Sequence, residues 1–319
     1  MSDRSRPAEP DGADAVTVGI DLGGTGTRLA AVDRDGAVRA RRSVTTRREP
    51  GVDASSAVTG LAELILATAG NARLTAVGVG ASGPVDPAGI IRNDATLPAY
   101  SHIPLVPLLA DRLGVPSVID NDAATAALGE NAFGAGRQSP ALLAVTLGTG
   151  IGVAMLHGST PLRGSDGMHP EAGHIPVPGP PAPCYCGLAT CFEQLASRRA
   201  LDRLTGGATE DLAIAASAGD EPAREIFDRY AGHVGAGLAT LTTVLRPARV
   251  VIGGSVARYL PLLMPGIDRA LSRPEPFDWR PPVVAAALGE YSGAIGAAVL
   301  ARTTAGAPSR PGGLAPGDR

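Results

Sequence analysis

Apolar residues along the chain come in short blocks cut by glycine turns, and the blocks read first as β-hairpins. Val16-Thr-Val-Gly-Ile20 predicts a strand, Asp21-Leu-Gly-Gly-Thr-Gly-Thr27 a turn, and Leu29-Ala-Ala-Val32 a second strand. Asp35-Gly36 marks another turn, and Val38 to Val44 a third strand. Such a run is a β-meander and not a strand–loop–helix unit. Residues 53–70 follow helical periodicity, with Val58, Leu61, Leu64 and Ile65 on one face, and Leu74 to Val79 is the next strand. Val118-Ile-Asp-Asn-Asp122 passes from strand into an alanine-rich helix. A second start resembles the first: Leu142 to Leu156 is again strand, glycine turn, strand. Val18-Gly-Ile-Asp-Leu-Gly-Gly-Thr-Gly aligns with Leu143-Ala-Val-Thr-Leu-Gly-Thr-Gly so that the turns coincide. The repeat suggests a duplicated α/β architecture with a ligand crevice between the halves, although glycine hairpins are common enough that pattern alone leaves this open.

Length and composition narrow the classes. A chain of 319 residues accommodates two ordinary domains or one large one, and 44% hydrophobic with 18% charged residues allows a large core. A net charge of −3 gives no electrostatic footprint for nucleic acid. There is no apolar run of about 18 residues to span a membrane. The opening segment, MSDRSRPAEPDGADA, lacks the apolar core of a signal peptide, so a cytoplasmic location is expected. Residues 1–14 and 304–319 read as polar or Pro/Gly-rich disordered tails. All 28 basic side chains are arginine. A phosphate would have to be held by backbone N–H groups, arginine or a metal ion, because no P-loop lysine exists.

Three features carry candidate chemistry. The turns at Asp21, Gly23, Gly24 and Thr25, at Gly148, Thr149 and Gly150, and at Gly253 and Gly254 are tight turns that let backbone N–H groups approach phosphate oxygens. Asp21 could hold Mg²⁺ through water. One such turn alone reads as a plain β-turn; three at strand ends fit a nucleotide. Asp122, at a strand-to-helix junction, reads either as a helix cap or as a base projecting into the cleft to accept the proton of an attacking hydroxyl. With an ordinary pKa of about 3.9 it would be a weak base whose contribution is mainly orientation. Finally, His174, Cys184, Cys186 and Cys191 form a four-ligand N/S set suited to structural zinc, the other reading being free thiols and a surface histidine.

In this order, the motifs resemble the ROK family of bacterial sugar kinases and related repressors, from about Val16 to Arg302. The most specific part is Glu171-Ala-Gly-His174 followed by Cys184-Tyr-Cys-Gly-Leu-Ala-Thr-Cys-Phe-Glu193. The resemblance implies an α/β, two-domain actin-like (ribonuclease H-like) sugar kinase fold with a ligand cleft between the domains. It also implies ATP, Mg²⁺ and structural Zn²⁺ as cofactors. Asn121 and Asp122 match the family's substrate Asn and catalytic Asp, and Gly83 lies in the glycine-proline loop at the sugar. Glu171, His174 and Glu193 would hold sugar hydroxyls, with His174 also binding zinc through its other nitrogen. Thr96, in Thr96-Leu-Pro-Ala-Tyr100, falls in the sugar segment where the family has Asn. Thr125 replaces another Asn, Gly26 a lysine, and His169-Pro170 an Ala-Gly pair. The replacements at Thr96 and Thr125 put a change in sugar specificity in view.

The expected division is a small domain over 15–120, joined by a helix near 290–303, and a large domain over 121–289 carrying the zinc loop. The expected reaction is ATP-dependent phosphorylation of a hexose hydroxyl, glucose by default, with a kinase for N-acetylmannosamine, fructose, allose or a cyclitol as the alternative. A repressor of the same family would need a helix-turn-helix module before the first hairpin, where only about 15 residues stand. A sugar sensor without catalysis is the third reading. A homodimer is compatible with the family.

Overall fold

The meander read at the N-terminus forms as β1 (Ala15–Leu22), β2 (Gly26–Asp33) and β3 (Val38–Thr45), paired antiparallel in that order. The computed structural model describes residues 15–49, 53–276 and 278–305. Val16, Val18, Ile20 and Leu22 alternate along β1 and are buried against α1 (Ala54–Ala69). Asp53 caps that helix, accepting from the Ser56 N–H at 2.9 Å. Val58, Leu61 and Ile65 reach the core as their spacing predicts, with Leu64 half-buried at its edge. Then β4 (Arg73–Ala81), α2 (Leu105–Leu113) and β5 (Ser117–Asn121) complete a five-stranded sheet of order β3-β2-β1-β4-β5, parallel across β1, β4 and β5.

After α3 (Asp122–Phe133) the plan repeats. β6 (Ala141–Leu147), β7 (Ile151–His157) and β8 (Thr160–Pro161) make the second meander. α4 (Phe192–Ala196), α5 (Arg198–Leu204), α6 (Thr209–Ala218) and α7 (Glu221–Leu245) intervene before β9 (Arg249–Gly253). α8 (Leu260–Leu271) and β10 (Val283–Ala285) follow, giving the order β10-β9-β6-β7-β8. β9 and β10 lie parallel to β6 as β4 and β5 lie parallel to β1. The two sheets therefore share one design, three antiparallel strands extended by two parallel ones, which the alignment of the two glycine turns anticipated. The larger core packs α4 to α8 on the second sheet, with Phe192, Phe227, Tyr230 and Leu263 fully enclosed.

The last helix, α9 (Ser292–Ala305), returns to the first sheet and also lies against α3. It runs to Ala305, so two residues expected in the C-terminal tail are helical; the rest of that tail, and residues 1–14, lie outside the described residues. Its approach depends on missing side chains: a Cβ at Gly19 or Gly78 would overlap α9 backbone, and one at Gly296 would overlap the Thr125 carbonyl. Thr125 is sealed in this seam, its hydroxyl bonded to the Asp122 carbonyl at 2.9 Å. That burial corrects the expectation that Thr125 alters sugar contacts. At the other end of α3, the buried Glu130 accepts from the N–H groups of Ala135, Ala287 and Leu288 at 2.8–3.0 Å, tying the strand-to-α9 connection down. No helix among the described residues is long and apolar enough to cross a membrane.

Candidate active site

At the junction of β5 and α3 the capping role falls to Asn121 and not to Asp122. Asn121 is the cap: its Oδ1 accepts from the N–H groups of Ala123 and Ala124, and its Nδ2 donates to the Gly83 carbonyl at 3.2 Å. Both ends of that buried amide are thereby engaged, and Gly83, at φ 86°, is held as the floor of its loop. Asp122 is left as the first helical residue, with its carboxyl among other acids. Burial is the main cause pushing it up to about 7, with Asp21 and Glu171 adding to the rise while the Ala123 N–H and the Ser82 hydroxyl oppose it. The weak base expected from an unperturbed aspartate is corrected: desolvation beside two carboxylates brings this group into the neutral range.

Asp21 ends β1 directly opposite Arg28 of β2. Burial raises its carboxyl to about 6, the Arg28 charge acting the other way. The turn beyond it is closed by the Gly23 N–H on the Gly26 carbonyl at 3.2 Å, with Thr25 at its exposed tip. Gly24 packs on Thr96, whose methyl-bearing carbon would lie 2.7 Å from a Cβ there. The Thr96 hydroxyl is taken by Asn93 Nδ2 at 2.6 Å, and the same amide group reaches the Ser82 carbonyl. Thr96 thus braces the glycine turn, and Asn93, which sequence reasoning did not single out, ties that turn to the Gly83 loop.

The second turn, Gly148-Thr-Gly150, closes from Gly148 N–H to the Gly150 carbonyl at 3.0 Å, with Thr149 exposed. Glu193, from α4, leans on it: its Oε2 accepts from the Ile151 N–H at 3.0 Å and would lie 2.5 Å from a Cβ on Gly150. The third, Gly253-Gly254, folds against the end of β6, where Gly254 takes φ 80° and a Cβ would overlap the Leu147 carbonyl. The three turns belong to three different strand ends, as their spacing implied.

Glu171 opens the short 3₁₀ turn that ends at His174. Its carboxyl is raised by burial, with the His174 charge pulling against that rise and the Glu193 charge adding to it. His174 divides its nitrogens. Nδ1 points at the thiols, 3.6 Å from Cys184 Sγ and 3.8 Å from Cys191 Sγ, and Nε2 meets the Tyr185 hydroxyl at 2.9 Å. The four ligand atoms of His174, Cys184, Cys186 and Cys191 lie within 4.8 Å of one another. A tetrahedral zinc with Zn–S of about 2.3 Å and Zn–N of about 2.0 Å sets its donors roughly 3.5–3.8 Å apart, so the donor set fits that ion. Tyr185 is the surprise: 82% exposed, stacked edge-on to the imidazole at 5.0 Å, it holds the nitrogen expected to face a sugar.

A second group missed by sequence reading links the two sheets. Arg163, just after β8, donates to the Asp120 carboxylate of β5 and to Nδ1 of His169 at 3.2 Å. Burial first, then the Arg163 charge, pushes the imidazole of His169 down to about 4, so it is neutral. Its only signal in the sequence was the replacement of a small pair by His169-Pro170. These groups and the Val85–Gly89 loop line a cavity of about 200 Å³ beside the end of β5.

The ROK family model matches residues 17–304. A glucokinase of Streptomyces coelicolor is 34% identical over 321 residues, covering 90% of this chain and 98% of that protein. An N-acetylmannosamine kinase of Escherichia coli is 29% identical, covering 90% of this chain and 98% of its own. Among solved structures, a ROK family glucokinase from Streptomyces griseus in complex with glucose and AMPPNP superposes with a TM-score of 0.75 at 34% identity, covering 90% of this chain and 99% of that one. With the duplicated meander, the acid-rich strand end and the His/Cys loop agreeing with a model that spans nearly all the described residues, the chain belongs to the ROK family.

Proposed function

We propose that this chain is an ATP-dependent sugar kinase that phosphorylates a hexose hydroxyl, with Asp122 as the base. The observation that carries this reading is the Asp122 carboxyl itself, released from capping by Asn121 and raised to about 7 by burial with Asp21 and Glu171 nearby. A group with that affinity for protons can take one from a hydroxyl at neutral pH, whereas a surface aspartate can do so only late in the reaction.

The remaining roles follow from where each group faces. The hydroxyls of the sugar would be held by Glu171, His174 and Glu193, with the Gly83 loop beneath the ring. Asn121 acts by holding Gly83 and orienting α3, and Thr96 by bracing the first glycine turn. The Gly23–Thr25 and Gly148–Gly150 turns present backbone N–H groups to phosphates from the two lobes, and Gly253-Gly254 borders the nucleoside. Asp21, half-buried and oxygen-donating, suits a hydrated Mg²⁺, which would supply charge neutralisation at the phosphates. Zinc at His174 and the three cysteines would fix the imidazole that faces the sugar. The small lobe is taken as 15–120 with α9 added, and the large lobe as 121–289. Glucose is the default substrate because the glucokinases are more similar in sequence than the N-acetylmannosamine kinase. A cytoplasmic location and a homodimer complete the reading.

A coupled ADP-release assay over hexoses, N-acetylmannosamine and cyclitols, with Asp122→Asn as control, is the direct test. Turnover of one sugar class that disappears in the variant supports the reading. Nucleotide-dependent turnover of none of them refutes it and leaves a sensor.

A further inference from the structure

A nucleoside triphosphate brings about four negative charges into a cleft that already holds Asp21, Asp122 and Glu171, and this chain has no lysine to meet them. The arginines nearest the second lobe's turn and the catalytic strand are committed. Arg198 Nε donates to Asp202 at 2.8 Å, and Arg163 is shared between Asp120 and His169. Arg28 differs from both. It lies two residues beyond the first glycine turn, opposite Asp21 in the β1–β2 ladder, on the strand face where Ala30 and Val32 pack against α9. Its charge acts directly on the half-buried Asp21 carboxyl.

Three further contacts define what Arg28 can reach. A Cβ on Gly26 would meet only Arg28 Nη1 and the Val44 carbonyl oxygen, each at an ordinary contact distance of 3.8 Å, so the guanidinium reaches back beside the turn and a side chain fits at position 26. Its Nε donates to Glu290 Oε2 at 3.1 Å, in a pair whose side chains are 31% and 63% exposed. Glu290 belongs to the 3₁₀ turn that runs into α9, and the start of that helix abuts Asp21, a Cβ on Gly293 lying 2.9 Å from the Asp21 carboxyl carbon. An exposed single-contact ion pair contributes little, so the guanidinium can leave Glu290 for a stronger anion at small cost. Its planar fork then matches a phosphate better than it matches one carboxylate oxygen.

We propose that Arg28 is a phosphate-binding residue of the nucleotide site, parked on Glu290 in the free protein and turning to the terminal phosphates when a nucleoside triphosphate occupies the Gly23–Gly26 turn. This rests on the kinase reading above. The Arg28 fork supplies from the strand the cation that neither the turn nor any lysine provides.

The test is calorimetric titration of a non-hydrolysable ATP analogue with Mg²⁺, and separately of glucose, into the wild type, Arg28→Met and Arg28→Gln. Loss of a charge-assisted phosphate contact is expected to weaken nucleotide binding roughly 10- to 100-fold in both variants, with glucose affinity unchanged. Because position 26 is open, adding Gly26→Lys to Arg28→Met is expected to recover part of the nucleotide affinity, which a merely structural arginine would not allow. Unchanged nucleotide affinity in both variants, or equal loss of sugar and nucleotide binding, overturns the proposal. A wild type that binds nucleotide but phosphorylates no sugar defeats the kinase reading alone, and the same titrations still decide the role of Arg28. A wild type that binds no nucleotide overturns both.

Discussion

Replacing Asp122 by asparagine would separate the catalytic role proposed for this residue from what it costs the fold. In the folded chain its carboxyl is raised to about 7 from an ordinary 3.8, through burial and then the charges of Asp21 and Glu171. For an acid the sign is unfavourable: the folded state holds the proton more tightly than the unfolded chain does. The contribution of this one group to stability is therefore greatest below about pH 4, falls as pH rises towards 7, and is level above that. The rise from 3.8 to about 7 corresponds to a penalty on the order of 4 kcal/mol at pH 8 for keeping this half-buried carboxylate ionised. Asparagine is neutral at every pH and can still accept the Ala123 N–H bond, 2.9 Å long in the parent. The helix does not lose its cap, which is Asn121. Asp122→Asn is thus expected to lower kcat by about 10²- to 10⁴-fold while leaving Tm at pH 8 unchanged or higher. The slope of Tm against pH between 4 and 7 should flatten. In the parent, kcat/KM for sugar should drop about tenfold per pH unit below 7, since the base must be ionised to accept a proton. Steady-state kinetics with differential scanning calorimetry across pH 4–9 read all of this. A variant with wild-type kcat, or one whose activity and Tm fall together, would refute the assignment of the base.

Other substitutions probe the surroundings. Tyr185→Phe removes the hydroxyl on His174 Nε2 that a sugar must displace; KM for sugar should fall about fivefold with kcat and zinc content unchanged, and a rise in KM would show instead that the tyrosine binds substrate. Cys186→Ala should lose the bound zinc and lower Tm, as elemental analysis and calorimetry would show; a zinc-free wild type removes the metal assignment. Glu130→Ala removes the carboxylate that holds three part-buried N–H groups at the far end of α3, so urea unfolding should report a loss on the order of 1–3 kcal/mol. Gly296→Ala drives a methyl into the Thr125 carbonyl and should cost roughly 1–3 kcal/mol or more, again by urea unfolding.

Local patterns carried the architecture, and they failed where the chemistry depends on residues far apart in the chain. The strands of both meanders, α1 and the switch at Asp120 to Asp122 are written in alternation, helical spacing and turn residues, all short-range signals. The cluster His174, Cys184, Cys186 and Cys191 is likewise nearly continuous in sequence, so its convergence in space was legible. Asp122 was not, because two adjacent residues could each cap α3. Only the geometry gives the cap to Asn121, and only folding brings Asp21, about 100 positions earlier, and Glu171, about 50 later, close enough to raise its pKa. The same limit hid Asp120, Arg163 and His169. Each looks like an ordinary polar residue of a strand end or loop, yet together they link the two sheets at β5. Thr125 shows the reverse error. Its position in a motif suggested a substrate contact, but one turn into α3 the side chain is fully buried against Gly80, while its backbone carbonyl packs on Gly296. A difference of sugar preference from glucose should therefore be sought at the rim, in Thr96 and Tyr185. Thr96 sets the turn at Gly24 and Tyr185 occupies His174, whereas the buried helix would pass on a substitution only by shifting α9 and Asp122 with it.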